Sequence, residues 1–265
     1  MRMLTVLGLL ACVCIAQAAE PLVYVYHDAD YFLTGYFDAP KRAAPVEFHR
    51  LMTQALCAEL GRAGISAAPI DAEGWAKLCA EKRRCIVVDL AQSVPETVYK
   101  GQDEGSPLEE WLDAGGILCY SGDWAFHWYA LKGGLPGGQG AGQLGDDDIF
   151  DANLVKADFV GIGCQPTESA AAVLPAFQGW GSARPFDADA VRAHCTWYEL
   201  YGLGERQAGN ETRRAADPLA FRMPNGKGYF FGCRFSRGPH TDAAQMVYDF
   251  ILRRGQWFIK EGEQQ

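Results

Sequence analysis

Three residues near the ends of predicted strands and helices are of the kinds that catalyse acyl transfer. Ser121 follows a predicted strand, and His240 and Asp242 stand at the start of the last predicted helix. A serine hydroxyl can attack an acyl or ester carbon when an imidazole acts as its base and a carboxylate orients that imidazole. Ser121, His240 and Asp242 are therefore the candidate catalytic residues of a hydrolase. The alternative is structural: Ser121 only ends a strand, and Thr241 or Asp242 caps the helix.

A second set of residues has the chemistry of a divalent metal site. Asp28, Asp30, Asp123 and His127 all follow predicted strands, and carboxylates with an imidazole suit such an ion. Their spacing matches no recognised ligand motif, such as two histidines separated by three residues. We therefore favour helix caps and loop hydrogen bonds for these residues, and we expect no metal and no other cofactor.

Aromatic residues are concentrated in two loops, after the first and the fourth predicted strand. They are Tyr31, Phe32, Tyr36, Phe37, Trp124, Phe126, Trp128 and Tyr129. Rings beside carboxylates suit a small polar ligand with apolar faces, and carbohydrate is one candidate. The predicted ligand-binding residues are His27, Asp28, Asp30, Tyr31, Asp123, Trp124 and His127. The alternative is that the rings pack a lid onto the sheet and that the protein is a scaffold or interaction module.

The first half of the chain alternates predicted strands and helices, which would position these residues. Strands are predicted over 22–26, 65–70, 85–90 and 117–121, with helices over 46–64, 72–82 and 107–114. The continuous apolar run at 85–90 is typical of a parallel strand that is covered on both faces. The pattern predicts an α/β fold with a doubly wound, mainly parallel sheet. In such folds ligands bind at the carboxyl ends of the strands.

The second half is less regular. A glycine-rich stretch over 133–145 leads into a mixed region that ends near 193. A hairpin is predicted over 218–235, with its turn at Pro224-Asn225-Gly226-Lys227, and a final helix over 243–254. We interpret residues 19–265 as one domain with an irregular insertion around 132–195, closed by a C-terminal β-hairpin and helix.

Several segments are similar to one known family. They are the opening strand Val23–Tyr26, the approach Leu112–Gly116, the strand into Tyr120-Ser121-Gly122, and the hairpin strand Gly226–Gly232. The chain resembles the class I glutamine amidotransferase-like superfamily, which is flavodoxin-like, and within it the relatives of the biotin-protein ligase N-terminal domain. The resemblance covers about two-thirds of the chain. It implies a flavodoxin-like fold with its site at the turn after Tyr120.

The residues at that turn argue against the family's own reaction. The family places a cysteine nucleophile between glycines, whereas this chain has Ser121 at the nucleophile position and Cys119 and Asp123 at the flanking ones. A serine is a weaker nucleophile than a thiolate and needs a strong base. His240 and Asp242 stand as a shifted version of the family's histidine and glutamate. The resemblance implies a ligand-binding protein without amidotransferase chemistry; if it is an enzyme, a hydrolase is the expectation.

The N-terminus has the order of features of a signal peptide. Arg2 precedes an uncharged apolar run over 3–15, and Ala16-Gln17-Ala18 supplies small residues for a peptidase. We expect cleavage after residue 18 and export to the periplasm or the extracellular space. Cleavage before Cys12, as in a lipoprotein, is the alternative.

Charge and cysteine content restrict the partners. The formal net charge is −9, and loss of Arg2 with the signal peptide takes it to −10. A chain this acidic is a poor ligand for nucleic acid or an anionic membrane surface, so neither partner is expected.

Seven cysteines remain in the predicted mature chain, at positions 57, 79, 85, 119, 164, 195 and 233. Their odd number leaves at least one thiol free or paired between chains, and the sequence does not define the oligomeric state.

Overall fold

The computed structural model of the protein describes residues 20–33, 43–101, 105–122, 124–138, 146–155, 161–208, 210–235 and 241–261. The predicted signal peptide, Tyr36, Phe37, Asp123 and His240 lie outside these residues. Within the described ranges, no helix combines the length and the apolar character that crossing a membrane requires.

The described secondary structure alternates strands and helices at first and then becomes rich in strands. The strands are β1 (Val23–Tyr26), β2 (Ala67–Ile70), β3 (Ile86–Gln92), β4 (Val94–Pro95), β5 (Ile117–Gly122), β6 (Trp128–Leu131), β7 (Leu135–Gly138), β8 (Ile162–Pro166), β9 (Trp180–Ser182), β10 (Phe186–Asp187), β11 (Tyr198–Leu200), β12 (Gly202–Ala208), β13 (Glu211–Ala216), β14 (Leu219–Arg222) and β15 (Tyr229–Cys233). The helices are α1 (Ala43–Arg62), α2 (Ala72–Ala80), α3 (Pro107–Ala114), α4 (Asp146–Phe150), α5 (Glu168–Val173), α6 (Ala188–His194), α7 (Thr241–Phe250) and α8 (Gln256–Glu261), with a π-helical turn at Ile251–Gly255 between the last two.

A seven-stranded sheet with the order β11-β14-β15-β5-β3-β1-β2 forms the centre of the protein. Its neighbours from β15 to β2 are parallel, whereas β11, β14 and β15 pair antiparallel. Every residue of β3 and β5 is buried. This burial on both faces accounts for their nearly continuous apolar sequence. The carboxyl ends of β1, β3, β5 and β15 consequently meet at one edge, which we call the carboxyl edge.

Each face of this sheet is covered by a hydrophobic core. On one face, Trp75 of α2 and Trp111 of α3 pack with Val87 and Leu118. On the other face, side chains of α1 and α7, including Leu56 and Met246, pack on the opposite side of the same strands. The two cores hold the strands rigidly, so the residues at the carboxyl edge are placed by a fixed framework.

Local signals define where the helices next to this framework begin and end. Asp71 caps α2 by accepting a hydrogen bond from the Gly74 amide. Ser106 and Glu109 form a reciprocal capping box at the start of α3, and Gly115 ends that helix with φ of 117°. A left-handed residue after a helix favours glycine. The chain therefore turns at Gly115 directly into β5.

The prediction of a doubly wound, mainly parallel, flavodoxin-like sheet is wrong. Among the described strands, seven pairings are antiparallel and five are parallel. A second sheet, of order β10-β13-β12-β8-β9, is antiparallel throughout, and β4, β6 and β7 form a small mixed sheet.

The cause of the difference lies beyond residue 122, where short connections join antiparallel neighbours such as β12 and β13 or β14 and β15. Parallel strands need a crossover of a dozen or more residues, whereas a tight turn joins only antiparallel strands. The β12–β13 pair runs in register from Leu203 opposite Ala216 to Ala208 opposite Glu211. Farther along the chain, α5 joins the antiparallel strands β8 and β9, and α6 joins strands of two different sheets. The fold is therefore a mixed α/β architecture.

Candidate functional site

The end of β5 lies beside the end of β15 at the carboxyl edge. Ser121 is in register with Cys233, so the residues after each strand emerge next to one another. Gly122 pairs with Gln92 of β3, and a Cβ atom on Gly122 would lie 2.7 Å from the Gln92 Cα. The close approach of the two backbones therefore requires glycine at position 122. This approach fixes the point from which the chain leaves β5 toward Trp124.

Trp124 is the partly exposed aromatic residue that follows β5, and Arg184 packs on it. The Arg184 guanidinium carbon lies 4.1 Å from the centre of the Trp124 ring. The His127 ring contacts the same tryptophan edge-on, with centroids 5.3 Å apart. The Trp124 Nε1 atom is buried and has no hydrogen-bond acceptor among the described residues. The structure thus brings together two of the predicted ligand-binding residues, Trp124 and His127, and adds Arg184.

Backbone hydrogen bonds hold Arg184 in this position. The amides of Ala183 and Arg184 both donate to the Phe235 carbonyl oxygen, over 3.0 and 2.9 Å. The carboxylate of Asp217 in turn accepts hydrogen bonds from the amides of Arg234 (2.8 Å) and Phe235 (3.1 Å). Burial raises the pKa of Asp217 to about 6, and these hydrogen bonds partly offset that effect. Segment 182–184 is therefore anchored to the chain that leaves β15.

A second arginine–tryptophan pair stands on the same two segments. Arg234, in the left-handed conformation with φ of 59°, places its guanidinium carbon 5.0 Å from the centre of the Trp180 ring. Its Nε atom lies 3.1 Å from Asp242 Oδ2. Trp124 packs against the core of α2 and α3, whereas Trp180 packs against the core of α1 and α7. The two arginine–tryptophan pairs therefore belong to opposite faces of the central sheet.

Two of the three predicted catalytic residues, Ser121 and Asp242, lie among the described residues near this edge. The Ser121 side chain is buried, and no described histidine makes a hydrogen bond with its hydroxyl. Asp242 forms the ion pair with Arg234, and its Oδ1 atom accepts a hydrogen bond from the Ala243 amide. His240 lies outside the described residues. The Ser121, His240 and Asp242 triad remains a prediction.

The polar side chains of His27 and Asp28, which follow β1, make contacts with other groups of the protein. Asp28 accepts hydrogen bonds from the amides of Asp30 (2.9 Å) and Ala72 (3.2 Å), so it caps both its own loop and α2. His27 Nδ1 lies 2.9 Å from His49 Nδ1 of α1. Burial, with a smaller effect of the neighbouring His27, lowers the pKa of His49 to about 3. This imidazole is therefore neutral at physiological pH.

The remaining predicted residues of the β1 loop lie at its exposed side. Asp30 is exposed, and its carbonyl oxygen accepts a hydrogen bond from the Gly133 amide. Tyr31 packs partly against the core. Across the described ranges, no group of three or more histidine, cysteine, aspartate or glutamate side chains is arranged to hold a metal ion. Asp123, the fourth member of the predicted metal set, lies outside these ranges.

A buried carboxyl group beneath the edge escaped the sequence analysis. Asp89 of β3 is in register with Tyr120, and Val88 before it pairs with Val25, so Tyr26 and Tyr120 flank Asp89 on neighbouring strands. Its Oδ1 accepts a hydrogen bond from the Ala91 amide, whereas Oδ2 has no partner among the described residues. Burial raises the pKa of Asp89 to about 8. The sequence does contain a signal for this buried carboxyl group, because Asp89 is the ionisable residue within the apolar run of β3.

A separate concave surface lies between α1 and α7. It is an apolar groove of about 570 Å³, lined by residues that include Phe48, Leu51, Thr241 and Tyr248. None of the residues proposed from the sequence for catalysis or binding lines it. Its apolar character makes it a poor site for a polar ligand.

Comparisons with known proteins define no family for this chain. No family model matches it, and no curated protein matches it. Among solved structures, the exo-β-1,4-mannosidase Op5Man5 from Opitutaceae bacterium strain TAV5 has 10% sequence identity and a TM-score of 0.39. That alignment covers 92% of this chain and 36% of the enzyme. A likeness at this level defines neither the fold nor the activity of the chain.

Proposed function

We propose that this protein binds a small polar ligand at the carboxyl edge of its central sheet, and that the ligand is a carbohydrate. The observation that carries the proposal is Trp124, a partly exposed indole ring at the carboxyl edge that is held by its packing with Arg184 and His127. An indole ring packs on the apolar face of a sugar.

The proposal includes loss of amidotransferase chemistry and export of the chain. Burial raises the pKa of the Cys119 thiol well above its usual range, so this residue is not a thiolate nucleophile. In the family that the chain resembles, a cysteine nucleophile occupies the position at which this chain has Ser121. Export to the periplasm or beyond, after removal of residues 1–18, would bring the site into contact with extracellular sugars.

The first experiment is a calorimetric titration of the purified protein with a panel of neutral and acidic mono- and oligosaccharides. A ligand that binds only the native state also raises the melting temperature, which gives an independent readout. We expect at least one sugar to bind with one-to-one stoichiometry, and we expect Trp124→Ala to lower its affinity at least tenfold.

The matched control is Trp257→Ala. Trp257 is also partly exposed, but it packs against Trp197 and near Tyr229, at the opposite end of β15. We expect this variant to bind like the natural protein. Equal losses in both variants, or no binding by any sugar of the panel, would contradict the proposal.

A further inference from the structure

The exposed face of α1, beside the apolar groove, has the properties of a contact between two copies of this chain. Phe48 and Leu51 lie on this face with 37% and 51% of their surface exposed, and both line the groove between α1 and α7. Exposed apolar side chains next to an apolar groove mark an interaction surface. We infer that the protein forms a two-fold symmetric dimer in which the two α1 helices pack antiparallel, beside their grooves.

The exposed residues of α1 form one continuous stripe along the helix. They are Glu47, Phe48, Leu51, Gln54, Ala55, Ala58, Glu59, Gly61 and Arg62. The other side of the helix places Met52, Leu56 and Leu60 in the core. At 1.5 Å per residue the stripe is about 22 Å long, which is enough for an extended helix-to-helix contact.

The charges on this stripe are ordered so that the face complements itself. Glu47 and Arg50 form an ion pair near the start of α1, and Glu59 and Arg62 form another near its end. With a two-fold axis at the midpoint of the stripe, Glu47 lies level with Arg62 of the second copy. Arg50 lies level with Glu59 of the second copy. A parallel arrangement would instead place like charges side by side, so the charge order selects the antiparallel dimer.

These two ion pairs remain accessible to a second copy. Their side chains are exposed by 40% to 67%, so each carboxylate can accept further hydrogen bonds and each guanidinium has further N–H donors. Each pair can therefore stay intact and also bind its counterpart. The two pairs contribute two acids and two bases, whereas the chain as a whole has a net charge of −9. The repulsion between two acidic copies is consequently not concentrated at this face.

Large and small side chains on the stripe are also complementary. About the same axis, Leu51 lies level with Ala58 of the second copy, and Phe48 lies level with Gly61 of the second copy. A Cβ atom on Gly61 would meet nothing within 4 Å, so the surface is open at this point. Each large apolar residue thus meets the level of a small one, as a self-complementary two-fold contact requires.

Sedimentation velocity of the purified protein over a wide range of concentration tests the inference. We expect a monomer–dimer equilibrium, and we expect Leu51→Asp to raise the Kd of the dimer at least tenfold, because the contact would bury an unpaired carboxylate. Leu135→Asp is the matched control. Leu135 is more exposed than Leu51 but does not line the groove, so this variant should dimerise like the natural protein.

Charge reversal tests the antiparallel arrangement of the helices. Glu47→Arg should raise the Kd of the dimer at least threefold, because two arginines would then lie level across the contact. The addition of Arg62→Glu should restore most of the lost affinity. Positions 47 and 62 are about 22 Å apart along one helix, so this rescue can act only between copies.

Several outcomes would overturn the dimer. A monomer at every concentration would do so, and so would a dimer that Leu51→Asp leaves unchanged, since another face would then hold it together. Failure of Arg62→Glu to rescue Glu47→Arg would exclude the antiparallel pairing. A monomer whose melting temperature rises with laurate would assign the groove to a small apolar molecule instead. The sugar site at the carboxyl edge is tested separately.

Discussion

The Arg184 guanidinium lies over the Trp124 ring, with 4.1 Å between its central carbon and the ring centre. Sixty residues separate these two side chains in the sequence. They meet because β5, which precedes Trp124, pairs with β15, and because Arg184 is bonded to the chain that follows β15. Trp124 follows β5, whereas Arg184 is tied to Phe235 through its backbone amide. The pair is thus a product of tertiary structure and joins the central sheet to the antiparallel sheet.

Asp89 should make the stability of the protein fall as the pH rises. Its pKa is raised by burial to about 8 in the folded state, against about 4 in an unfolded chain. The stabilisation is complete below pH 4 and is lost as the pH rises through 8, since the unfolded chain releases this proton first. The loss is as much as about 5 kcal/mol. We expect Asp89→Asn to be more stable than the natural protein at pH 8, with the difference vanishing near pH 4.

Urea unfolding of both proteins across pH 4–9 measures this difference directly. Asp217, whose pKa burial raises to about 6, contributes a fall of the same sign in both proteins and cancels in the comparison. A difference that does not change with pH would show that Asp89 is ionised in the folded state.

Gly122 should not tolerate a side chain. A Cβ atom there would lie 2.7 Å from the Gln92 Cα and 2.9 Å from the Tyr120 hydroxyl oxygen. Relief of this contact requires β3 and β5 to separate, so we expect Gly122→Ala to lower the free energy of unfolding by about 1–3 kcal/mol. Gly163→Ala is the control, because a Cβ at Gly163 meets no atom within 4 Å. Similar losses for both variants would show that strand propensity, and not the β3–β5 contact, is being measured.

The seven described cysteines should react slowly with thiol reagents in the folded protein. They are free thiols, six of them buried and Cys57 partly exposed. Burial raises the pKa of Cys57 to about 11 and those of Cys85 and Cys195 to about 12, so little thiolate exists at pH 8. We expect Ellman's reagent to label the native protein at most slowly at Cys57. Denaturant should then release seven thiols in the mature chain. Rapid labelling of Cys119 would contradict this account and would reopen the amidotransferase-like reaction.

Ser121→Ala should leave sugar binding within about threefold of the natural protein. The hydroxyl makes no hydrogen bond with a described histidine, and the proposed ligand contact comes from Trp124. The same variant tests the alternative of a hydrolase, with hydrolysis of p-nitrophenyl acetate as the readout. An activity of the natural protein that the variant loses would favour the Ser121, His240 and Asp242 hypothesis over simple binding.

The sequence was most informative where local patterns alone decide the structure. The apolar run at 85–90 forms β3, and the turn at Pro224–Lys227 joins β14 to β15 as a hairpin. The helix predicted over 107–114 matches α3, because Ser106, Pro107 and Gly115 specify its two ends. In these cases backbone preferences and burial act within a few neighbouring residues.

Long-range pairing could not be predicted in the same way. Nothing local to Leu203 or Ala216 shows that these residues face each other in an antiparallel sheet, and the extrapolation of a parallel sheet into this region was wrong. Arg184, which packs on Trp124, comes from a region that was predicted to be an irregular insertion. Trp124 and His127 were predicted as binding residues from composition, whereas Arg184 and Arg234 became visible only through their packing.

The central claim is that a sugar binds at the carboxyl edge beside Trp124, and a crystal structure with the tightest-binding sugar of the panel tests it most directly. We expect the sugar ring to lie in van der Waals contact with Trp124. A sugar bound instead in the groove between α1 and α7, or elsewhere without contact to Trp124, would contradict the proposed function.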